Sequence, residues 1–203
     1  MMHVEIYGGT DRGLQREHNE DAIRHAQFDQ ARISLALVAD GVGGHAGGEI
    51  ASQLAADVMD NYVTSCVSHA LDSGAVSEHW LQQTLANAIE RAHREIVKSQ
   101  QSDSLLASMA TTIVSVLIKD QQLALGYLGD SRCYRWRDSK LQQISRDQTL
   151  AQQMLDQGVI NQKQFQVSPY HHVLSRALGL VDFSMVDIHL HDILDGDVFL
   201  LCS

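Results

Sequence analysis

The stretch that decides the fold is Ile33-Ser-Leu-Ala-Leu-Val-Ala-Asp-Gly-Val-Gly-Gly-His-Ala-Gly-Gly-Glu49. An apolar run with strand character, Ile33 to Ala39, ends on the carboxylate of Asp40, and glycines then bracket a single histidine, His45. Gly41, Gly43 and Gly44 allow a sharp turn, so a backbone carbonyl can approach a cation lying beside the Asp40 carboxylate. The same pattern also describes a plain glycine-rich turn with a surface histidine. A phosphate-cradling loop of the Walker type fits less well, because that pattern needs Lys followed by Ser or Thr and neither follows here.

Working outward, Val4 to Gly9 is a second short apolar run leading into Thr10-Asp-Arg-Gly-Leu-Gln-Arg-Glu-His-Asn-Glu-Asp21. Arg16 offers a planar fork of donors suited to phosphate oxygens, and Glu20 and Asp21 offer hard oxygen ligands, directly or through water. Chemistry alone leaves an exposed, salt-bridged turn equally open. Downstream of the glycines, Ile50, Leu54, Val58 and Tyr62 recur every four residues with Ala51, Ala55 and Met59 beside them, predicting an amphipathic helix from Glu49. A second helix has Leu81, Leu85, Ile89, Ala92 and Ile96 as its buried stripe, and Glu90, Arg91, Arg94 and Glu95 on its wet face.

The texture then changes. Thr111 to Ile118, Leu123 to Leu128 and Arg132 to Trp136 read as strands joined by short polar turns, hence antiparallel neighbours. Gly126-Tyr-Leu-Gly-Asp-Ser-Arg132 places Asp130 in one of those turns, where an aspartate is commonly turn chemistry. Leu150 to Gly158 reads as a helix capped by its glycine, and a polar, irregular segment follows to Pro169. Val186, Ile188 and Leu190 alternate with polar residues as a strand, and Asp195-Gly196 turns the chain into Val198 to Cys202. Two long helices followed by clustered strands predict helices packed on antiparallel sheets, an α+β domain.

Bulk properties bound the function. The 203 residues have 44% hydrophobic content and one proline, as expected for one globular domain without linker or repeat. Fifteen Lys and Arg against twenty-five Asp and Glu give a formal charge of -10. That disfavours broad attachment to nucleic acid or anionic lipid, and it suits either a cation-binding pocket or an ordinary acidic surface. Met1 to Thr10 carries neither basic leader nor long apolar run, and no stretch reaches the length of a spanning helix, so the expected location is cytoplasmic. Cys66, Cys133 and Cys202 fit reduced thiols better than disulfides or a zinc site.

Taken in order and spacing, these motifs resemble the PPM family, the type 2C metal-dependent protein phosphatases, in their short bacterial form. Thr111 to Ile118, His171 to Gly179 (His-His-Val-Leu-Ser-Arg-Ala-Leu-Gly) and Asp197 to Ser203 (Asp-Val-Phe-Leu-Leu-Cys-Ser) extend the resemblance over nearly the whole chain. It implies an α-β-β-α sandwich, two antiparallel sheets face to face flanked by helices, formed by residues 1–203 as one catalytic domain with residues 159–172 as a flap beside the active site. It implies two, possibly three, Mn²⁺ or Mg²⁺ ions. Asp40 and the Gly41 carbonyl would be direct ligands, Glu20 and Asp21 would hold the water shell, and Asp130 would serve a third, weaker site. Arg16 would clamp the substrate phosphate and His45 would be the general acid. The implied reaction is direct hydrolysis of phosphoserine and phosphothreonine by a hydroxide bridging two cations, on phosphoproteins made by an opposing serine/threonine kinase, by a monomer.

Family members continue beyond the residue matching Ser203 with further acidic ligands, a helix and a core strand. The resemblance therefore implies a C-terminally incomplete domain, with weakened or absent metal binding and an exposed sheet edge prone to association. A non-catalytic module that binds phosphoproteins through Arg16 is the alternative.

Overall fold

The computed structural model describes residues 3–42, 46–73, 78–180, 183 and 186–203. Nine strands and four helices run in the order β1 (Asp21–Phe28), β2 (Ile33–Val42), α1 (Ala46–Ser73), α2 (Glu78–Ser102), β3 (Ala110–Thr111), β4 (Ile113–Lys119), β5 (Gln122–Leu128), β6 (Arg132–Arg137), β7 (Lys140–Gln143), α3 (Leu150–Asp156), α4 (Gln162–Gln166), β8 (His189–Asp192) and β9 (Val198–Cys202) among the described residues. The larger sheet has the order β1-β2-β4-β5-β8, with β3 also paired to β2, and the smaller has the order β7-β6-β9. Every pairing is antiparallel.

The central strands carry near-continuous apolar runs because both of their faces are covered. Leu35, Leu37 and Ala39 of β2 and Ile113 and Leu117 of β4 point to one side, where they meet Ala51, Ala55, Met59 and Val63 of α1 and Leu85, Ile89, Ala92 and Ile96 of α2. The alternate residues, Val114, Val116 and Ile118 of β4 with Leu123 and Leu125 of β5, point to the other side and pack with Cys133, Phe199 and Leu201 of the smaller sheet. The period of two along each strand thus feeds two separate cores, one between helices and sheet and one between sheets. Asp197 fastens the smaller sheet: its carboxylate takes Nε of Arg137 at 2.7 Å and the backbone N–H of Leu194 at 2.8 Å, fixing the β8–β9 turn against β6.

The expected α+β architecture and face-to-face sheets are present. The helical layer built by α1 and α2 covers the larger sheet, whereas the outer face of the smaller sheet exposes Trp136, Leu141, Val198 and Leu200 by 44%, 58%, 59% and 51%. β9 lies at an edge of its sheet, as anticipated. Four local expectations are corrected. Val4 to Gly9 forms no strand, although β1 and β9 each have an unpaired edge among the described residues; Val4 is held instead by packing on the inter-sheet core and by Nε2 of Gln27 at 2.7 Å from its carbonyl. α1 begins at Ala46 rather than Glu49, and its buried face centres on Ala51, Ala55, Met59 and Val63 while Ile50 is exposed. Small alanines there let the helix sit close on the sheet. β8 is confined to His189–Asp192, where pairing with β5 starts. The segment after Gly158 contains α4, capped reciprocally by Asn161 and Gln164.

These packing differences set expectations for stability. Leu117→Ala, at a fully buried position between α1/α2 and the sheet, should cost about 2–5 kcal/mol in urea unfolding. Leu141→Ala on the bare face should change it by less than about 0.5 kcal/mol.

Candidate active site

The site is built at one end of the β1–β2 pair. Asp21 and Asp40 are direct cross-strand partners in the register, so their carboxylates lie side by side. Like charges in that position repel, and the fold holds them there through the backbone. The Gly41 N–H donates to the Glu20 carbonyl at 3.0 Å, and the Thr112 N–H donates to the Asp40 carbonyl at 2.9 Å. The Thr111 hydroxyl donates to that same carbonyl at 2.9 Å, while the Thr112 hydroxyl accepts from the Asp40 N–H at 3.0 Å and pairs with Ser131 at 2.7 Å. Ser52 of α1 donates its hydroxyl to the Glu20 carbonyl at 2.6 Å.

The glycines act here through close approach. A Cβ on Gly41 would fall 2.1 Å from the Gly48 carbonyl oxygen and 2.8 Å from that of Glu20, so the first turn of α1 can lie directly on the strand end only without a side chain. Gly129, at φ +102°, turns the chain between β5 and β6, and a side chain there would meet Thr112 at 2.7 Å. That turn carries Asp130 toward the Asp40 side.

Electrostatics record how near these groups are. Burial, then the Asp21 and Asp130 charges and a hydrogen bond with Asp21, push the Asp40 carboxyl up to about 6, and the Arg16 guanidinium pulls the other way. Asp130 is also raised, first by burial and then by Asp147, with Arg132 and His172 opposing. Asp147 is itself held by Arg132, whose Nε lies 2.9 Å and Nη2 2.6 Å from its oxygens. The Ser203 hydroxyl donates to Asp21 at 2.9 Å.

Of the residues singled out in the sequence, Glu20, Asp21, Asp40, Gly41 and Asp130 gather at this end of the sheets, and Arg16 approaches closely enough for its charge to act on Asp40. His45 lies outside the described residues. Among the described residues no group of three or more His, Cys, Asp or Glu side chains stands in ligating geometry. Asp21 and Asp40 are the close pair, with Asp130 acting through its field. Two carboxylates pressed together and partly desolvated suit a divalent cation, which would offset both the burial and the neighbouring charges that raise Asp40. Sequence reasoning missed the supports Thr111, Thr112, Ser131, Ser52 and Asp147. Their signal was faint: four hydroxyls and one carboxylate whose partners only the fold supplies. A groove of 710 Å³ between residues 3–9 and β9 touches none of the carboxylates, so the chemistry belongs to this open cleft.

Comparison with known proteins gives a consistent result. The sequence model of the family Protein phosphatase 2C matches residues 9–168. The serine/threonine phosphatase stp of Listeria monocytogenes serotype 4b (strain F2365) is 33% identical over 203 residues, covering 100% of this chain and 77% of the relative. The crystal structure of the Mycobacterium tuberculosis serine/threonine phosphatase PstP/Ppp superimposes with a TM-score of 0.77 at 31% identity, covering 96% of this chain and 76% of that one. The catalytic domain of PstP in complex with two manganese ions gives 0.73 at 31% identity, over 96% and 75% of the two chains. With the paired carboxylates at the strand ends and a match across most of its length, the chain belongs to the protein phosphatase 2C family.

Proposed function

We propose that the cleft formed by Arg16, Asp21, Asp40 and Asp130 hydrolyses phosphoserine and phosphothreonine in proteins with Mn²⁺ or Mg²⁺ bound. The single observation that carries this is the cross-strand pairing of Asp21 with Asp40, whose charges the fold forces together beside Arg16. Bound divalent cations would supply Lewis-acid stabilisation of the phosphoryl oxygens and lower the pKa of water toward neutrality. Asp40 and the Gly41 carbonyl would hold them directly, Glu20 and Asp21 directly or through water, and Asp130 at a further position.

Arg16 has the fork of donors that fits two phosphoryl oxygens, and its exposed position on the 10–20 loop leaves it open to an incoming phosphate. His45 would give its proton to the departing serine or threonine oxygen. Residues 159–172 would act as a flap: the effect of His172 on Asp130 brings this segment to the cleft, and α4 gives it a shape of its own. No described helix is long and apolar enough to cross a membrane, and the -10 charge is unsuited to anionic surfaces. Our reading extends to a cytoplasmic monomer that opposes a serine/threonine kinase.

Three outcomes test this. Release of phosphate from a phosphothreonine peptide should require Mn²⁺ or Mg²⁺ and stop with EDTA; turnover that persists in EDTA would reject the reading. Arg16→Ala should raise KM for the peptide at least about tenfold, the scale of a lost charge-assisted pair, and an unaltered KM would remove the clamp role. The third follows from Asp40. Metal binding needs its carboxylate, so Mn²⁺ affinity in calorimetry should weaken as pH falls through about 6. In metal-free protein the same group is raised from 3.8 to about 6, so the folded state binds the extra proton and stability should decline as pH rises across that window. Asp40→Asn should flatten that dependence in urea titrations and abolish Mn²⁺ binding.

A further inference from the structure

A second cleft adjoins the first on the far side of the turn that carries Asp130. It has a volume of 390 Å³ and lies between β5, residues 146–149, α3 and residues 175–176. Its connection to the active site is direct. Gln148, on its wall, takes the Gly129 N–H on its side-chain oxygen at 3.1 Å and donates its own N–H to the Gly129 carbonyl at 2.8 Å. The floor is tied to the approach to the flap as well, since the Leu150 N–H donates to Val173 at 2.7 Å and the Ser175 N–H to Gln148 at 2.9 Å.

The lining is polar and rich in donors. Arg146 and Arg176 both reach the field of the Tyr127 hydroxyl, which also lines the cleft. Around them stand the side-chain amides of Gln148, Gln152, Gln153 and Gln157. The two acidic residues of the wall both have partners: Asp147 is held by Arg132 from outside the cleft, and Asp156 is held within it by Arg146 and by the Gln152 amide. The Arg146–Asp156 pair is an exposed one, with side chains 64% and 41% accessible. Such pairs contribute about 0–1 kcal/mol, so an incoming anion can exchange for Asp156 at little cost.

We propose that this cleft is a specificity subsite that accepts an anionic side chain of the peptide substrate, a carboxylate or a second phosphate a few residues from the scissile phosphoresidue. The proposal rests on the phosphatase reading above. The cleft borders the turn that carries Asp130, through Gln148 and Gly129, and holds two guanidiniums and four side-chain amides, so a peptide whose phosphoresidue sits at Asp40 and Arg16 would have this polar recess within reach of its neighbouring residues. Arg146 and Arg176 would form charge-assisted hydrogen bonds to the anion, the amides would complete its shell, and the phosphate at the first cleft would be unaffected.

The test is fluorescence anisotropy with Mn²⁺ present, using three labelled peptides: a phosphothreonine with neutral flanks, the same with flanking glutamates, and the same with a second phosphothreonine. At low salt the two acid-flanked peptides should bind about fivefold or more tightly than the neutral one, and the tighter of the two names the preferred anion. Arg146→Gln and Arg176→Gln should each remove that advantage while moving the neutral peptide's Kd less than about twofold, and Gln153→Lys should enlarge it. Should Arg176→Gln fail to fold, the Arg146→Gln and Gln153→Lys pair decides. Neutral and acid-flanked peptides binding equally to the unaltered protein, or an advantage that survives both arginine substitutions, would overturn the subsite while leaving the phosphatase reading intact. Failure of all three peptides to bind would reject both.

Discussion

Two carboxylates at one end of an antiparallel strand pair are pressed together by the backbone that carries them. Asp21 and Asp40 oppose one another in the register, and burial first, then the charges of Asp21 and Asp130, push the Asp40 carboxyl up to about 6. The fold tolerates it because the strand ends are clamped from several sides. The Asp40 carbonyl accepts from Thr111 and Thr112, the Glu20 carbonyl accepts from Ser52 and Gly41, and the first turn of α1 lies against Gly41 where no side chain would fit. A repulsion maintained at this cost is a stored preference for a cation, and the phosphate chemistry of the family follows from it.

The two cores make that clamp rigid. Residues of β2 and β4 alternate between the helix-facing and the sheet-facing core, so neither strand can slip by one position without reversing both. Slippage would also separate Asp21 from Asp40. The site is therefore placed by packing that lies far from it, and the inter-sheet core matters as much as the helical one because Cys133, Phe199 and Leu201 join β6, which follows the Asp130 turn, to β9, which precedes Ser203.

The electrostatic design extends beyond the paired aspartates. Asp130 is turned toward them by Gly129, is itself pushed up by burial, and is backed by the Asp147–Arg132 pair. Gln148 then connects that turn to a second, donor-rich cleft. One short loop, residues 145–149, thus borders both recesses.

Much of this was legible in the sequence. An apolar strand ending in Asp-Gly, the Arg16 and Glu20-Asp21 spacing, and the stripe Leu81-Leu85-Ile89-Ala92-Ile96 are local patterns, and they marked the end of β2, the second helix and the residues Glu20, Asp21, Asp40, Gly41 and Asp130 that the fold gathers at one end of the sheets. What the sequence could not decide was everything that depends on a distant partner. Val4 to Gly9 has the composition of a strand but forms no ladder with the sheet edges near it. The buried face of α1 followed its alanines because only the sheet determines how close a helix may come. Thr111, Thr112 and Ser52 became supports of the site because folding brought their hydroxyls to backbone groups 32 to 72 residues away, and Ser131 joined them through the Thr112 hydroxyl, 19 residues away. Periodicity is a property of neighbouring residues and is written in order along the chain; a hydrogen bond across strands, or the charge one aspartate feels from another, exists only once tertiary structure has set the distance.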